Sequence, residues 1–387
     1  MIQPLPITTN TFEQLAEIDP RWQAARRILA VRLDNLGDVL VTSPALHAIN
    51  TSLPEASLTL LASPVGAQVG RLIPDVDDVI IYDAPWMDAW GKLSQDAARE
   101  LALIAEMTER RFDAAMIFTS FRQSPLPAAY LCYLAGIPLR LGATFDGAGS
   151  LLTTRLKRPE SLVHEVERGL DLVAAVGLTG APDDPHDLRL RVPNEAREEA
   201  QKLLSQSGAT GRPLVVVHPG CSMPARTYPW EQYADVVAGL VMWLGATVAL
   251  TGAESERELV GRILARLKAL LPASELAHVE PLAGRMSFPA LCALIEQADL
   301  TITNNTGPMH FAAAVKTPVV ALFALTNPPE QWGPWRVAHR LLNHEVACHP
   351  CYSRICPYSH ECLRLVTPEM VVDAASELLN EAKGDAA

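Results

Sequence analysis

Short apolar runs of strand character recur along this chain, each followed by a longer stretch with the three-to-four-residue spacing of a helix. In the first half the runs fall at residues 28–33, 58–61, 79–81 and 114–118, with a helix opening near Val39. In the second half they fall at 214–218, 247–251, 300–303 and 319–323, separated by helical stretches such as 231–244 and 254–271. The later runs are nearly continuous in apolar residues, the pattern of strands covered on both faces, so the alternation predicts parallel sheets joined by crossover helices. Between the halves, residues 176–194 are rich in Gly, Pro and Asp and break both periodicities, which marks a linker. The expected organisation is α/β, with two Rossmann-like doubly wound domains, residues 1–189 and 190–387, facing across a cleft at the carboxyl ends of their strands.

Composition narrows the functional classes. A chain of 387 residues that is 49% hydrophobic and 20% charged suits two globular cores. Its formal charge of −12 argues against nucleic acid as a partner, because phosphate backbones are gripped by clustered Lys and Arg. The longest apolar stretch, 236–250, is broken by Gly239 and Gly245 and falls short of the roughly 20 residues of a spanning helix. It reads as the end of a helix running into a buried strand. Residues 1–19 lack the basic-then-apolar order of a secretory signal, which points to a cytoplasmic chain.

The candidate chemistry follows the predicted strands. Neither half carries G-x-G-x-x-G after its first strand, which disfavours a dinucleotide dehydrogenase. Instead, Asn304-Asn305-Thr306-Gly307-Pro308-Met309-His310 joins a strand to a helix through a polar turn with Pro in the first helical turn. That arrangement offers free backbone N–H groups beside a helix N-terminus, a seat for phosphate or pyrophosphate, with His310 one turn on as a further donor. Arg226, shortly after the Gly220-Cys221-Ser222 turn, is suited to grip phosphate oxygens, though a solvated surface arginine is the commoner case. Glu254 closes the next strand, where a carboxylate can accept from ribose or sugar hydroxyls or simply cap a helix. Met286 offers either core filling or an apolar face for a base, and Ser287 is a candidate helix cap. In the first half, Asp38 stands where a strand gives way to a helix; it can take a proton from an attacking hydroxyl, or serve only as a cap.

Taken together and in order, the blocks from Arg32 to Leu46, from His218 to Trp230, Gly252-Ala253-Glu254, from Leu282 to Leu291, from Thr303 to Phe323, and Trp332-Gly333-Pro334-Trp335 resemble glycosyltransferase family 9. These are the ADP-heptose:lipopolysaccharide heptosyltransferases, and the likeness is to their heptosyltransferase II branch, from Ile28 to about Ala375. The resemblance implies a GT-B fold, an acceptor-side N-terminal domain and a donor-nucleotide C-terminal domain. It also implies inversion at the anomeric carbon without a catalytic metal or other required cofactor. Carried over, Asp38 is the general base and Arg226 neutralises the ADP leaving group. Ser222, Glu254, Met286, Asn305, Thr306, Gly307 and His310 contact the donor. Asn305 departs from the Asp that many members carry before Thr-Gly, keeping an acceptor for a sugar hydroxyl but not its charge. The implied partners are an ADP-sugar donor and a glycolipid acceptor, with no nucleic acid. An acylated acceptor would bring peripheral contact with the cytoplasmic face of the inner membrane; Arg21, Arg26 and Arg27, and the group Arg155, Lys157 and Arg158, are candidates to face it, or plain surface charges. A protein hydroxyl as acceptor, or a non-catalytic nucleotide-sugar-binding scaffold, are the alternatives.

Four of the seven cysteines fall in one segment, Cys348, Cys351, Cys356 and Cys362. In a cytosolic chain such clustering suggests a structural zinc or iron held by thiolates, against reduced thiols that merely pack the tail.

Overall fold

The computed structural model describes residues 8–10, 17–88, 91–94, 96–120, 123–157, 162–205 and 211–384. Most of the N-terminal stretch read for a signal, and Arg158, therefore lie outside the described residues. The chain divides into two compact units, Met1–Arg191 and Val192–Ala387.

Unit 1 is built on seven parallel strands: β1 (Thr8–Asn10), β2 (Arg27–Arg32), β3 (Ser57–Ala62), β4 (Asp78–Ile81), β5 (Ala114–Ile117), β6 (Leu139–Ala143) and β7 (Thr154–Leu156), in the order β1-β7-β6-β5-β2-β3-β4. Unit 2 holds six more: β8 (Leu214–His218), β9 (Thr247–Leu250), β10 (Val279–Pro281), β11 (Leu300–Asn304), β12 (Val319–Leu322) and β13 (His339–Leu342), all parallel, in the order β10-β9-β8-β11-β12-β13. Each unit has its own apolar core. In unit 1 Leu29, Val31 and Ile117 pack with Met107 and Phe112, and in unit 2 Val215, Val217 and Ile302 pack with Tyr233, Val237 and Ile263.

All eight expected strands form. The additional ones are short, lie at sheet edges, or carry polar interruptions. β6 shows why such a strand escapes detection: Arg140 is its second residue, buried, and donates to the carbonyls of Ser150 and Leu151 at 2.7 Å each, so its charge is hydrogen-bonded rather than hydrated. The stretch 236–250 resolves as expected. The helix Trp230–Leu244 stops at Gly245, whose φ of +61° suits a residue without Cβ, and β9 follows. No described helix is long and apolar enough to cross a membrane.

In both sheets the order reverses beside the first central strand, between β2 and β5 in unit 1 and between β8 and β11 in unit 2. Crossover helices leave in opposite directions there and open a crevice at the strands' carboxyl ends. The polar residues singled out from the sequence gather at these two places. The linker is fastened to unit 1: Arg189 N donates to Ser43 Oγ (2.9 Å), Arg189 Nε to Asp75 Oδ2 (2.8 Å) and Arg191 N to Leu72 O (2.8 Å). The N-terminal arginines are paired with acids, Arg21 with Asp19 (2.6 Å), Arg26 with Glu55 (3.3 Å) and Arg27 with Asp113 (3.5 Å).

Candidate functional site

At the reversal in unit 1, Asp38 is the third residue of the helix Leu36–Val41. Its Oδ2 accepts from Asn35 N (3.2 Å), so it does cap the helix start, and its Oδ1 accepts from Ser120 Oγ (3.1 Å) and Arg32 Nη2 (3.3 Å). The side chain keeps 17% of its surface open. A carboxylate has about four lone-pair directions, so these three bonds fix its orientation and leave room for a hydroxyl. Capping and proton acceptance are therefore compatible here.

Arg32, at the end of β2, is the centre of this site. Its buried guanidinium lies 2.9 Å from Asp34, 3.3 Å from Asp38 and 3.8 Å from Glu165, and also donates to Ser120 Oγ at 2.7 Å. Glu165 pairs in turn with Arg168 at 3.0 Å. Two cations thus face three carboxylates in a dry environment. Asp34 responds: burial raises its pKa to about 6, opposed by Arg32 and reinforced by Asp38 and Glu165. Gln123 closes the network, donating from Nε2 to Asp34 Oδ1 while its Oε1 accepts from Ser120 N (3.0 Å). Asp34 and Gln123 also line an adjoining pocket of ≈ 290 Å³ whose walls include Trp86, Met87 and Phe118. Sequence reasoning found Asp38 but not Arg32, Ser120, Gln123 or Glu165 as members of the site. The available signal was that Ser120 and Gln123 follow β5, the other strand at the reversal.

At the reversal in unit 2, two loops are stitched together. Asn304, at the end of β11, donates from Nδ2 to Pro219 O (2.9 Å) and Gly220 O (3.2 Å), and its Oδ1 accepts from Tyr228 N (3.0 Å). The loop after β8, which carries Arg226, is thereby held against the Asn305-Thr306-Gly307 turn. Burial raises the pKa of the Cys221 thiol in the loop after β8. Thr306 is the N-cap residue of the helix Gly307–Ala314, Pro308 lies in its first turn, and His310 is buried one turn in. Arg226 closes a short 3-10 turn, Pro224–Arg226, and its Nε donates to Thr326 Oγ1 at 2.9 Å. Asn305 is buried; its Nδ2 donates to Asn327 Oδ1 (3.2 Å), and its Oδ1 has no hydrogen-bond partner among the described residues. Ser222 is exposed in the loop after β8, and Met286 is half-buried just before Ser287. Ser287 caps the helix Phe288–Gln297, accepting from Ala290 N (3.3 Å).

The carboxylates after β9 divide their tasks. Glu254 points outward, its side chain 71% exposed and paired with Arg257 at 2.9 Å. Glu256, two residues later, turns inward. Its Oε2 accepts from Ala253 N (2.7 Å) and lies 3.7 Å from His218 Nε2. It also fills the space over Gly220, where an added Cβ would fall 1.8 Å from Glu256 Oε1. That glycine is what admits the carboxylate to the strand ends. His218 is held by Thr251 (Nδ1 to Oγ1, 3.0 Å), and burial lowers its pKa despite Glu256, so the imidazole is neutral at pH 7. Among the two acids, the geometry gives Glu256 rather than Glu254 the place beside the crevice.

Cys348, Cys351, Cys356 and Cys362 line one small cavity, yet no group of three or more His, Cys, Asp or Glu among the described residues is arranged to hold a metal ion. Four thiols on one cavity are a donor set of the type that suits a soft cation.

Two parallel-sheet α/β units, each with its polar cluster at the strand reversal, make up the GT-B fold. The family model of glycosyltransferase family 9 (heptosyltransferase) matches residues 101–361, and the chain belongs to this family. It is 31% identical to the lipooligosaccharide heptosyltransferase 2 of Campylobacter jejuni over 351 residues, 89% of this chain and 95% of that one. Among solved structures it is similar to a family 9 glycosyltransferase from Veillonella parvula (TM-score 0.77, 21% identity, covering 94% of this chain and 99% of that one). It is also similar to the ADP-heptose lipopolysaccharide heptosyltransferase II of Escherichia coli (TM-score 0.72, 23% identity, covering 92% and 99%).

Proposed function

We propose that this glycosyltransferase moves a heptose from an ADP-sugar to a hydroxyl of a lipopolysaccharide-type glycolipid, with inversion and without a catalytic metal, at the cytoplasmic face of the membrane that carries the acceptor. Asp38 takes the proton of the acceptor hydroxyl as its oxygen attacks the anomeric carbon from the side opposite the leaving diphosphate. Ser120 and Arg32 keep that carboxylate aimed, and the pocket walled by Trp86 and Phe118 receives the acceptor's ring faces. In unit 2 the diphosphate lies at the N-terminus of the helix Gly307–Ala314, its growing charge met by backbone N–H groups and Arg226. Glu256 accepts from ribose hydroxyls. Asn305 Oδ1, without a partner among the described residues, accepts from a hydroxyl of the transferred sugar.

The observation that carries this reading is the stitching of the Arg226 loop to the Asn304–Thr306 turn through Asn304, which brings a fixed cation and a helix N-terminus to one place. The names of the relatives, which include an ADP-heptose enzyme, favour adenosine and heptose. Calorimetric titration with ADP, UDP and GDP tests it. ADP is expected to bind selectively, and Arg226→Ala to raise its Kd by roughly 30-fold, the loss of one charge-assisted phosphate contact. Equal affinity for all three nucleotides, or an unchanged Kd in the variant, would overturn the donor assignment. Label from the sugar donor should appear in a glycolipid fraction; label in protein would replace the acceptor.

A further inference from the structure

Arg226 is the cation of the donor site in this reading, and it sits on a turn of only three residues. Such a turn does not by itself fix a long side chain, so something else must aim the guanidinium. One contact that does so is Thr326, which is buried beyond the end of β12. The Thr326 hydroxyl accepts from Arg226 Nε at 2.9 Å and donates to Asn327 Oδ1 at 3.0 Å; the same Oδ1 accepts from Asn305 Nδ2 at 3.2 Å. Every bond in this relay has a donor facing an acceptor, and Thr326, Asn327 and Asn305 are all buried. An Asp at 305 could not donate to Asn327 Oδ1, so the amide at 305 fits the relay where a carboxylate would not.

Both partners of the Arg226–Thr326 contact lean on the cysteine-bearing segment. On the arginine's side, Ala225 N donates to Arg354 O (3.0 Å) and His360 Nε2 to Pro224 O (3.2 Å). On the threonine's side, Cys351 N donates to Leu325 O (3.2 Å) and Tyr352 N to Thr326 O (2.8 Å). Between the two sides lies the small cavity lined by Ala225, Thr326 and the four cysteines. We propose that the segment spanning residues 346–362 is a positioning frame for Arg226, with Thr326 as its contact to the guanidinium, and that it sets how tightly the donor's diphosphate is held. This rests on the donor-site reading given above. An arginine already held by a buried hydroxyl has lost its rotamer freedom before the phosphate arrives, so less affinity is lost in ordering it. The frame works through packing and main-chain bonds, with no step that requires a metal at the thiols.

The test compares ADP with adenosine, which lacks the diphosphate, on wild type, Thr326→Val, Thr326→Ser, Arg226→Ala and the double variant Thr326→Val/Arg226→Ala. Thr326→Val is expected to raise the Kd for ADP about tenfold while leaving adenosine, measured by competition, unchanged; Thr326→Ser restores ADP binding. In the Arg226→Ala background Thr326→Val should add nothing, because the residue it positions is gone. Cys351→Ala/Cys362→Ala is expected to show the same ADP-selective loss, the retained adenosine affinity showing that the unit is folded. Wild-type ADP affinity in Thr326→Val beside a weakened Arg226→Ala would overturn the frame, as would equal losses for ADP and adenosine. If Arg226→Ala itself binds ADP like wild type, the donor-site reading fails and the frame with it.

Discussion

The two strand reversals carry polar sites of opposite electrostatic design. In unit 1 the site is ionic: Arg32 is buried among Asp34, Asp38 and Glu165, Arg168 pairs with Glu165, and Ser120 and Gln123 fill the remaining bonds. In unit 2 the frame is neutral: Asn304, Asn305, Thr326 and Asn327 bond to one another or to backbone, His218 is kept uncharged by burial, and Arg226 is the cation fastened to this frame. The difference matches two tasks. The base proposed in unit 1 has to keep its orientation while a proton moves, and the ion pairs and hydrogen bonds around it fix that orientation. The diphosphate proposed for unit 2 would bring its own charge, and the neutral, pre-ordered residues around Arg226 suit it, with the Glu256 carboxylate held beside His218.

The sharpest way to break the comparison is to remove the charge from Asp38 alone. Asp38→Asn keeps the side chain's shape, and its amide oxygen can still accept from Ser120 and Arg32, but it cannot take a proton. Transfer is expected to fall about 10³-fold, within the range for a general base, with the Kd for ADP unchanged because the donor groups lie in unit 2. Steady-state rates and calorimetry on the same preparation decide it. Turnover near wild type would move the base elsewhere, and a large loss of ADP affinity would show that the two sites are not separable.

Next in size is the loss of Arg32. Arg32→Met replaces the guanidinium by an apolar chain and leaves Asp34, Asp38 and Glu165 without their shared partner. Breaking a buried ion cluster in this one-sided way costs about 3–5 kcal/mol, and thermal melting of the full chain should show the first transition lowered by roughly 10 °C. Arg226→Met, on the frame of unit 2, leaves the Thr326 hydroxyl with its bond to Asn327 and should move melting far less. Equal shifts for the two variants would mean that the ionic and neutral designs do not differ in what they contribute to stability.

Much of this architecture was legible from the chain. The eight strands read as apolar runs are largely those covered on both faces, while β10 and β13 escaped because they are short or half-buried, and β6 because Arg140 interrupts it. Asp38, Arg226 and the Asn304–His310 turn were legible because each follows a strand within a few residues. Their supporting residues were not: Ser120 stands 82 positions from Asp38 and Thr326 100 from Arg226, and only folding brings them together. Nor could spacing choose between Glu254 and Glu256, since the choice depends on the space over Gly220. The cysteine segment was legible as a cluster, but its bonds to the Arg226 turn are made largely by main-chain groups that no motif records.

The smallest effect, and the finest probe of the ionic site, is its pH dependence. Burial holds the pKa of Asp34 at about 6, above its value in an unfolded chain, so between about pH 4 and 6 the folded protein keeps a proton that the unfolded chain has released. The folded state binds more protons in that window, and stability from this group therefore falls as pH rises through it and is lost above about pH 6. From pH 5 to pH 7.5 the loss is on the order of 1 kcal/mol. Asp171, also raised to about 6 by burial, titrates in the same window and must be removed as a contributor, so the comparison is made in an Asp171→Asn background. There, Asp34→Asn should be less stable than its parent at pH 5 by more than it is at pH 7.5, because the parent alone loses stability on the way. Chemical unfolding of both proteins at the two pH values measures this directly. A stability difference that stays constant with pH would mean that Asp34 is ionised throughout, that Arg32 outweighs burial, and that the cluster in unit 1 runs with all three carboxylates charged.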